Sequence, residues 1–346
     1  MAKTKIKLSK RQASQQRMAL MLVTPTVILI GVVILWPVLQ AIINSFFGQP
    51  GMDADGFFQE TSPFVALDNY ASAFGDSRFF NALFNTTLFA VITVSLETIL
   101  GMAMALIMNQ AIRGRGVLRA AILIPWAVPT AVSAVLWKWI FDAHGVANSL
   151  IGKQILWATG DWTAKSAIII ADVWKTAPFI GLLVLAGLQI IPEDVYEAAK
   201  IDGANVWKRF TSITLPLVRP ALVVAVLFRS LDALRMFDLP YILIGARKQS
   251  VETLSMLVQD HASNLRYGAA SANAMLLFAY IFVIVLVFVK ILGADIIGSE
   301  GSRDSKGSKL RLFSRRAQAK RRKAANEAIE NTEARKLQPV LGGSEG

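Results

Sequence analysis

The 346-residue chain contains no cysteine and only two histidines. The first absence excludes disulfides, thiolate metal sites and a cysteine nucleophile. The second leaves His144 and His261, both in expected loops, as poor material for a histidine-based metal or catalytic centre. No GxxxxGK[ST] run occurs, so the chain has no P-loop to hold nucleotide phosphates. Charged residues make up 17% of the chain, against 54% hydrophobic residues and a mean hydropathy of +0.48. That is more apolar surface than one water-soluble core can hide, so the chain must meet lipid. The net charge of +12 does not point to nucleic acid. The basic residues gather beside apolar runs and at the two ends, without interleaved exposed aromatics, which is the pattern of topology signals and membrane-surface contacts.

Crossing a hydrocarbon layer of about 30 Å takes roughly 20 helical residues. Six stretches qualify: Ala19 to Phe47, Leu83 to Met108, Leu118 to Phe141, Ala164 to Ile190, Leu217 to Ile244 and Ala272 to Leu292. They are too long for barrel strands and do not alternate, so the expected fold is all-α, a polytopic membrane protein with six transmembrane helices. Residues 1–18 form a basic N-terminus and 19–47 a first anchor helix, too long and without the small-residue cleavage pattern of a signal peptide. An acidic loop covers 48–82, a five-helix core 83–292, and a basic polar tail 293–346, suited to a solvated extension near anionic headgroups, either disordered or partly helical over 313–336. With a cytoplasmic N-terminus, Lys3, Lys5, Lys7, Lys10, Arg11, Arg17, Arg113, Arg115, Arg119, Lys200, Lys208, Arg209, Arg219 and the tail all fall inside. The other side receives fewer cations (Arg78, Lys153, Lys165, Arg247, Lys248, Arg266) and the acids Asp53, Asp55, Glu60, Asp68 and Asp76, so the assignment is self-consistent, with both termini cytoplasmic.

The inside segment EAAKIDGANVWKRFTSITLP, within 192–216, has the marks of an ordered elbow. Pro192 followed by Glu193 and Asp194 starts a helix, with acids at the positive end of its dipole. Gly203 suits its end. A second short helix is expected from Ala204 to Thr211, with Trp207 and Phe210 on one side, and Pro216 and Pro220 mark re-entry into the membrane. Ala198 and Ala199 would let another protein approach closely.

Glu197, Ala198 and Ala199, then three residues to Gly203, nine more to Ile213, and Leu215 with Pro216 reproduce the EAA loop of ABC importer permeases. The chain resembles that family over most of its length. FVALDNYASAF, NALFNTTLF, ILIPWAVPTAVSAVLWKWIFD and VWKTAPFIGLLVLAGLQIIPEDVYEAAKIDGA are similar to its carbohydrate-uptake branch, and LFRSLDALRMFDLPYILIG to its trehalose and maltose type permeases. Ala66 departs from the pattern, standing where the family often has Gly before LxNY. The resemblance implies a type I ABC importer permease (MetI-like) fold in a bacterial plasma membrane, with no catalytic or metal site in the chain. It implies coupling through Glu197, Ala198, Ala199, Asp202, Gly203, Ile213, Leu215 and Pro216. It also implies a second homologous permease subunit, two ATPase subunits carrying ATP and Mg, an extracytoplasmic sugar-binding protein, and a sugar, most plausibly a disaccharide, moved by alternating access.

Ionisable side chains at membrane depth are costly and face protein or water. Asp172, Lys175, Thr176 and Phe179 share one helical stripe, on which Asp172 and Lys175 can neutralise each other. Arg229, Asp232, Arg235 and Asp238 alternate in sign every three residues, and Glu97 and Lys138 are further candidates, with snorkelling to an interface held by Trp137 and Trp139 as the alternative for Lys138. Hydroxyl recognition by Asp172, Lys175, Thr176, Arg229, Asp232 and Arg235, with Trp174 and Phe179 as an aromatic face, is the chemistry a sugar path needs. Interhelical ion pairs would use the same residues: both roles stay open for Arg229 and Asp232, and a structural role is favoured for Arg235, Asp238 and Glu97. Pro125, Pro129 and Pro178 interrupt helices, as hinges or static kinks. The membrane charges alone would also suit an ATP-independent secondary transporter or channel, or an enzyme acting on lipid-linked sugars. Neither accounts for the elbow.

Overall fold

The computed structural model describes residues 10–51, 61–110, 113–246, 248–288 and 290, with side chains from residue 18 onward. The tail from 293 and residues 52–60 of the acidic loop lie outside the described residues. Met1–Val285 form one compact unit, to which the following description applies, and Leu286–Gly346 form a second. Among the described residues, five helices are long and apolar enough to cross a membrane, or six if one bent pair counts as a single span.

The first span is α1 (Lys10–Ile30), continued through a π-turn at Gly31–Leu35 into α2 (Trp36–Asn44). From Met18 to Asn44 its side chains are exposed nearly throughout, with none buried among the described residues. At its end, Asn69 donates to the Ser45 and Phe47 carbonyls, both at 2.9 Å, and Tyr70 reaches the Ser45 hydroxyl at 2.7 Å. These bonds pin α3 (Asp68–Gly75) beneath the first span.

The core is built on α4 (Ser77–Met108) and α8 (Asp161–Leu188). They run parallel: Glu97 meets Thr176, and four residues further along each helix Gly101 meets Ile180. A Cβ on Gly101 would stand 2.8 Å from Ile180, so only glycine permits this approach. Small residues at a helix crossing give van der Waals contact where lipid supplies no hydrophobic drive between helices. Antiparallel to α8 lies α11 (Leu215–Leu234), whose Ala221 and Val218 face Gly187.

The third span is not continuous. Its halves α5 (Arg115–Ala127) and α6 (Thr130–Ile140) meet at a 91° bend. Val128 and Pro129 are extended, with ψ of 132° and 140°, because Pro disfavours helix in the residue before it and cannot itself donate to the ladder. The fifth span also ends earlier than Ile244. Helix α11 stops at Leu234, residues 235–237 break the chain, and α12 (Asp238–Leu243) packs beside α6. The cap on this end is α13 (Leu254–Ser263), which carries His261 on a helix rather than in a loop. Burial, then Arg266 and Arg78, hold the His261 imidazole below its ordinary pKa. Arg78 grips Glu252 with two bonds of 2.6 and 2.7 Å and Asp260 at 2.8 Å, tying the start of α4 to this cap. The last span is α14 (Tyr267–Phe288), whose Tyr280 hydroxyl lies 2.8 Å from that of Thr87 on α4.

Ala66 adopts a left-handed φ of 47°, a conformation that costs an L-residue about 1–2 kcal/mol. Glycine has no such penalty but loses more chain entropy on folding. Ala66→Gly should therefore stabilise the protein by about 0.5–1 kcal/mol, seen as a higher melting temperature of the detergent-solubilised chain; an unchanged or lower value would mean that the turn is not strained.

Candidate functional site

Three of the core helices each contribute a charge to one buried cluster. The Arg229 side chain on α11 is only 3% exposed and grips Glu97 of α4, with Nε 2.6 Å from Oε2 and an Nη 3.0 Å from Oε1. Its remaining edge reaches Asp172 of α8, and a weaker 3.4 Å contact joins it to Asp232, one turn along its own helix. The Thr176 hydroxyl sits 2.6 Å from Glu97 Oε1 and 2.6 Å from the Asp172 carbonyl. A planar guanidinium held by two carboxylates is a strong, directional arrangement. Asp172 is thus answered across helices by Arg229 rather than by Lys175 on its own helix.

One side of the cluster is sealed and the other opens. A cavity of about 220 Å³ is lined by Asp172, Lys175, Thr176, Arg229, Asp232, Arg235, Phe237 and Thr130, among others. Glu97 does not line it and is fully buried. Lys175, itself 8% exposed, has no ion-pair partner within 4 Å among the described residues, so its ammonium is available to a ligand in the cavity. Six of the expected pathway residues therefore come together, and two do not. Trp174 packs edge-on against Trp137, with centroids 5.6 Å apart, and Phe179 stacks on Trp126 at 5.7 Å; neither reaches the cavity. Its aromatic side chain is Phe237. That residue lies in the break after α11, where an apolar run gives no periodic signal. The expected four-residue charge ladder is likewise divided: Arg235 caps α11 and Asp238 begins α12. Thr130 enters the cavity wall because of the bend at Pro129.

The elbow lies at the far end of α11. Helix α9 (Glu193–Ile201) follows Pro192, which is its N-cap, with two acids in the first turn and Lys200 in the last. It ends at Gly203, φ +75°, where Ala204 N–H bonds to the Ala199 carbonyl at 2.9 Å and Gly203 N–H to that of Lys200 at 3.1 Å. This bond pair is the Schellman ending, which requires a left-handed residue. Asn205 then caps α10 (Val206–Arg209), accepting from the Lys208 N–H at 2.8 Å. No separate second helix ends at Thr211. Helix α10 passes through a π-turn at Phe210–Thr214 straight into α11, one rod from Val206 to Leu234 that takes in Ile213, Leu215, Pro216 and Pro220. Pro216 sits in the first turn of α11, where its missing donor is harmless. Tyr196 on α9 reaches the Thr214 hydroxyl at 3.2 Å. Glu197, Ala198 and Asp202 are exposed, whereas Ala199 is buried against the chain and presents nothing to a partner. Ile201, Val206 and Trp207 stand at least 71% exposed around the turn.

Comparison with known proteins follows the same lines. Residues 97–299 match the family described as binding-protein-dependent transport system inner membrane component. The trehalose/maltose transport system permease protein MalF of Thermococcus litoralis is 41% identical over 82% of this chain and 96% of its own. The trehalose transport system permease protein SugA of Mycobacterium tuberculosis is 35% identical over 84% of this chain and 93% of its own. A bacterial alginate ABC transporter, solved in complex with alginate pentasaccharide-bound periplasmic protein, shares the fold at a TM-score of 0.69 and 20% identity, over 81% of this chain and 96% of that chain.

Removing one partner from a buried ion pair strands the other. Arg229→Met should cost about 3–5 kcal/mol of stability, measured by thermal unfolding in detergent, and adding Glu97→Gln should recover part of the loss. Equal melting of wild type and Arg229→Met would show that the cluster holds nothing together.

Proposed function

Because the chain belongs to the family of binding-protein-dependent transport system inner membrane components, we propose that it is the sugar-conducting permease subunit of an ATP-driven importer, working by alternating access. It forms one half of a pore, with a second permease of similar fold as the other half. Two ATPase subunits hold ATP and Mg, and an extracytoplasmic binding protein delivers the sugar. Both termini and the elbow lie in the cytoplasm, the side favoured by the distribution of Lys and Arg. The substrate is a disaccharide of the trehalose or maltose kind, the class named for MalF at 41% identity and SugA at 35%. The chain transports and does not catalyse; hydrolysis belongs to the partner ATPases.

The observation that carries this reading is the single rod from Val206 to Leu234. At one end it bears the exposed elbow, and near the other Arg229 in the ionic cavity. A motor gripping α9 and α10 moves α11 as a lever, and the lever moves a cavity wall. A long helix transmits such displacement because its hydrogen-bonded backbone and packed neighbours have discrete arrangements. The mixture of carboxylates, a lysine and a threonine in the cavity fits the many hydroxyls of a neutral sugar.

Gly203 is the mechanical joint, since proline's φ near −65° cannot serve where +75° is needed. Gly203→Pro and Glu197→Lys should both abolish copurification with the ATPase subunits and ATP-driven uptake of labelled trehalose or maltose into proteoliposomes. Intact assembly and unchanged uptake in both variants would refute the docking role, and flux through this chain alone without ATP would favour a secondary transporter.

A further inference from the structure

Two cavities occupy opposite ends of the α6 and α12 pair. Thr130 and Asp238, at the starts of these helices, line the ionic cavity, while Lys138 and Leu243, near their ends, line a second of about 170 Å³. Along α6 the eight steps from Thr130 to Lys138 span about 12 Å at 1.5 Å per residue, a separation on the scale of two linked pyranose rings.

The second cavity has an aromatic floor. Trp157 and Phe141 line it with ring centroids 4.8 Å apart, and Trp137 stacks behind Phe141 at 5.1 Å. The Trp157 ring is fixed in place. Its Nε1–H donates to Asn148 Oδ1 at 2.9 Å, and the buried Asn148 amide donates to the Ala143 and Ile155 carbonyls at 3.0 and 2.9 Å, while Ile155 N–H returns to Oδ1 at 3.2 Å. One asparagine thus locks the whole loop and presents a rigid indole. A platform already held in its bound orientation loses little entropy when a ligand settles on it. At the rim stand Lys138, which forms no ion pair among the described residues, and Asp142. An apolar ring face flanked by one cation and one carboxylate is the chemistry that receives a pyranose: C–H surface against the rings, hydroxyls to the charged groups. One Asp142 oxygen accepts from the His144 N–H at 3.0 Å, which leaves the other oxygen and the Lys138 ammonium for a ligand.

We propose that this aromatic cavity is a second sugar subsite, which holds a pyranose ring on its way to the ionic cavity. The proposal rests on the sugar-importer reading and adds an intermediate station to it. The native absence of cysteine makes a direct test practical. Thr159 is exposed and lines the cavity, so Thr159→Cys places a lone thiol there. The fully assembled importer, with its ATPases and binding protein, is reconstituted in nanodiscs, and thiol modification by a charged water-soluble maleimide is followed on this chain by mass spectrometry. Saturating trehalose or maltose should slow modification several-fold, and adding Lys138→Met or Asp142→Asn should abolish that protection in complexes that still copurify intact. Sugar uptake by the wild-type assembly together with a Thr159→Cys rate indifferent to both sugars would overturn the subsite while leaving the importer reading standing. Protection that survives both rim substitutions would also overturn it. Failure of the wild-type assembly to take up any sugar would remove the importer reading and the subsite together.

Discussion

Arg229 is the side chain around which the membrane part of this protein is arranged. A guanidinium keeps its charge under any physiological condition, and at membrane depth that charge must be met by carboxylates or water. Here Glu97 from α4 and Asp172 from α8 meet it. The requirement fixes three helices at one level and in one rotation, because a slip of a single residue on any of them would turn a carboxylate away. Glycines complete the arrangement: Gly101 and Gly187 bring α4, α8 and α11 close enough for the charged groups to touch. Electrostatics thus selects the register, and small side chains permit it.

The same cluster is asymmetric, and its asymmetry gives it a use beyond cohesion. Glu97 is spent on Arg229, sealed away from the cavity, while Lys175, Asp232 and the outward edge of Asp172 face open space. The structural role falls to Glu97 by geometry, while the groups that line the cavity are placed for either role. Since Arg229 belongs to the rod that ends in the elbow, any force applied at α9 and α10 reaches a group that touches both the helix core and the cavity. Under the proposed function, structure-holding and transport would be two consequences of one ion cluster.

Much of this was legible in the residues. Length and hydropathy marked the spans, and Glu197 to Pro216 announced the elbow through spacing that only a few residue types satisfy. Asp172, Lys175, Thr176, Arg229 and Asp232 stood out because charge inside apolar runs is expensive. Other features depend on tertiary partners and have no local signature. Nothing near Asp172 in sequence distinguishes Lys175 from Arg229 as its counter-ion. The Pro125 to Pro129 stretch signals an interruption but not a 91° bend, and the regular three-residue spacing of Arg229, Asp232, Arg235 and Asp238, which suits a continuous helix, hid the break at 235–237. Ala198 and Ala199 look equivalent as a pair, yet successive helical residues point about 100° apart, so one faces outward and the other inward. Asn148, on the short helix α7 (Val146–Ile151), passed unnoticed because a single polar residue gives no sign that its amide will tie together the Ala143 and Ile155 backbone and the Trp157 indole.

The central claim is that the ion cluster divides the molecule into a dry side, which binds helices, and a wet side, which binds sugar. Single cysteines introduced by Thr130→Cys on the cavity wall and Thr93→Cys in the core would report on each side of that division. In the assembled importer, the account predicts that a membrane-impermeant thiol reagent modifies the first and is slowed by trehalose or maltose, while the second stays unmodified with or without sugar. Equal reactivity at both positions, or reactivity at Thr130→Cys that sugar leaves unchanged, would contradict it.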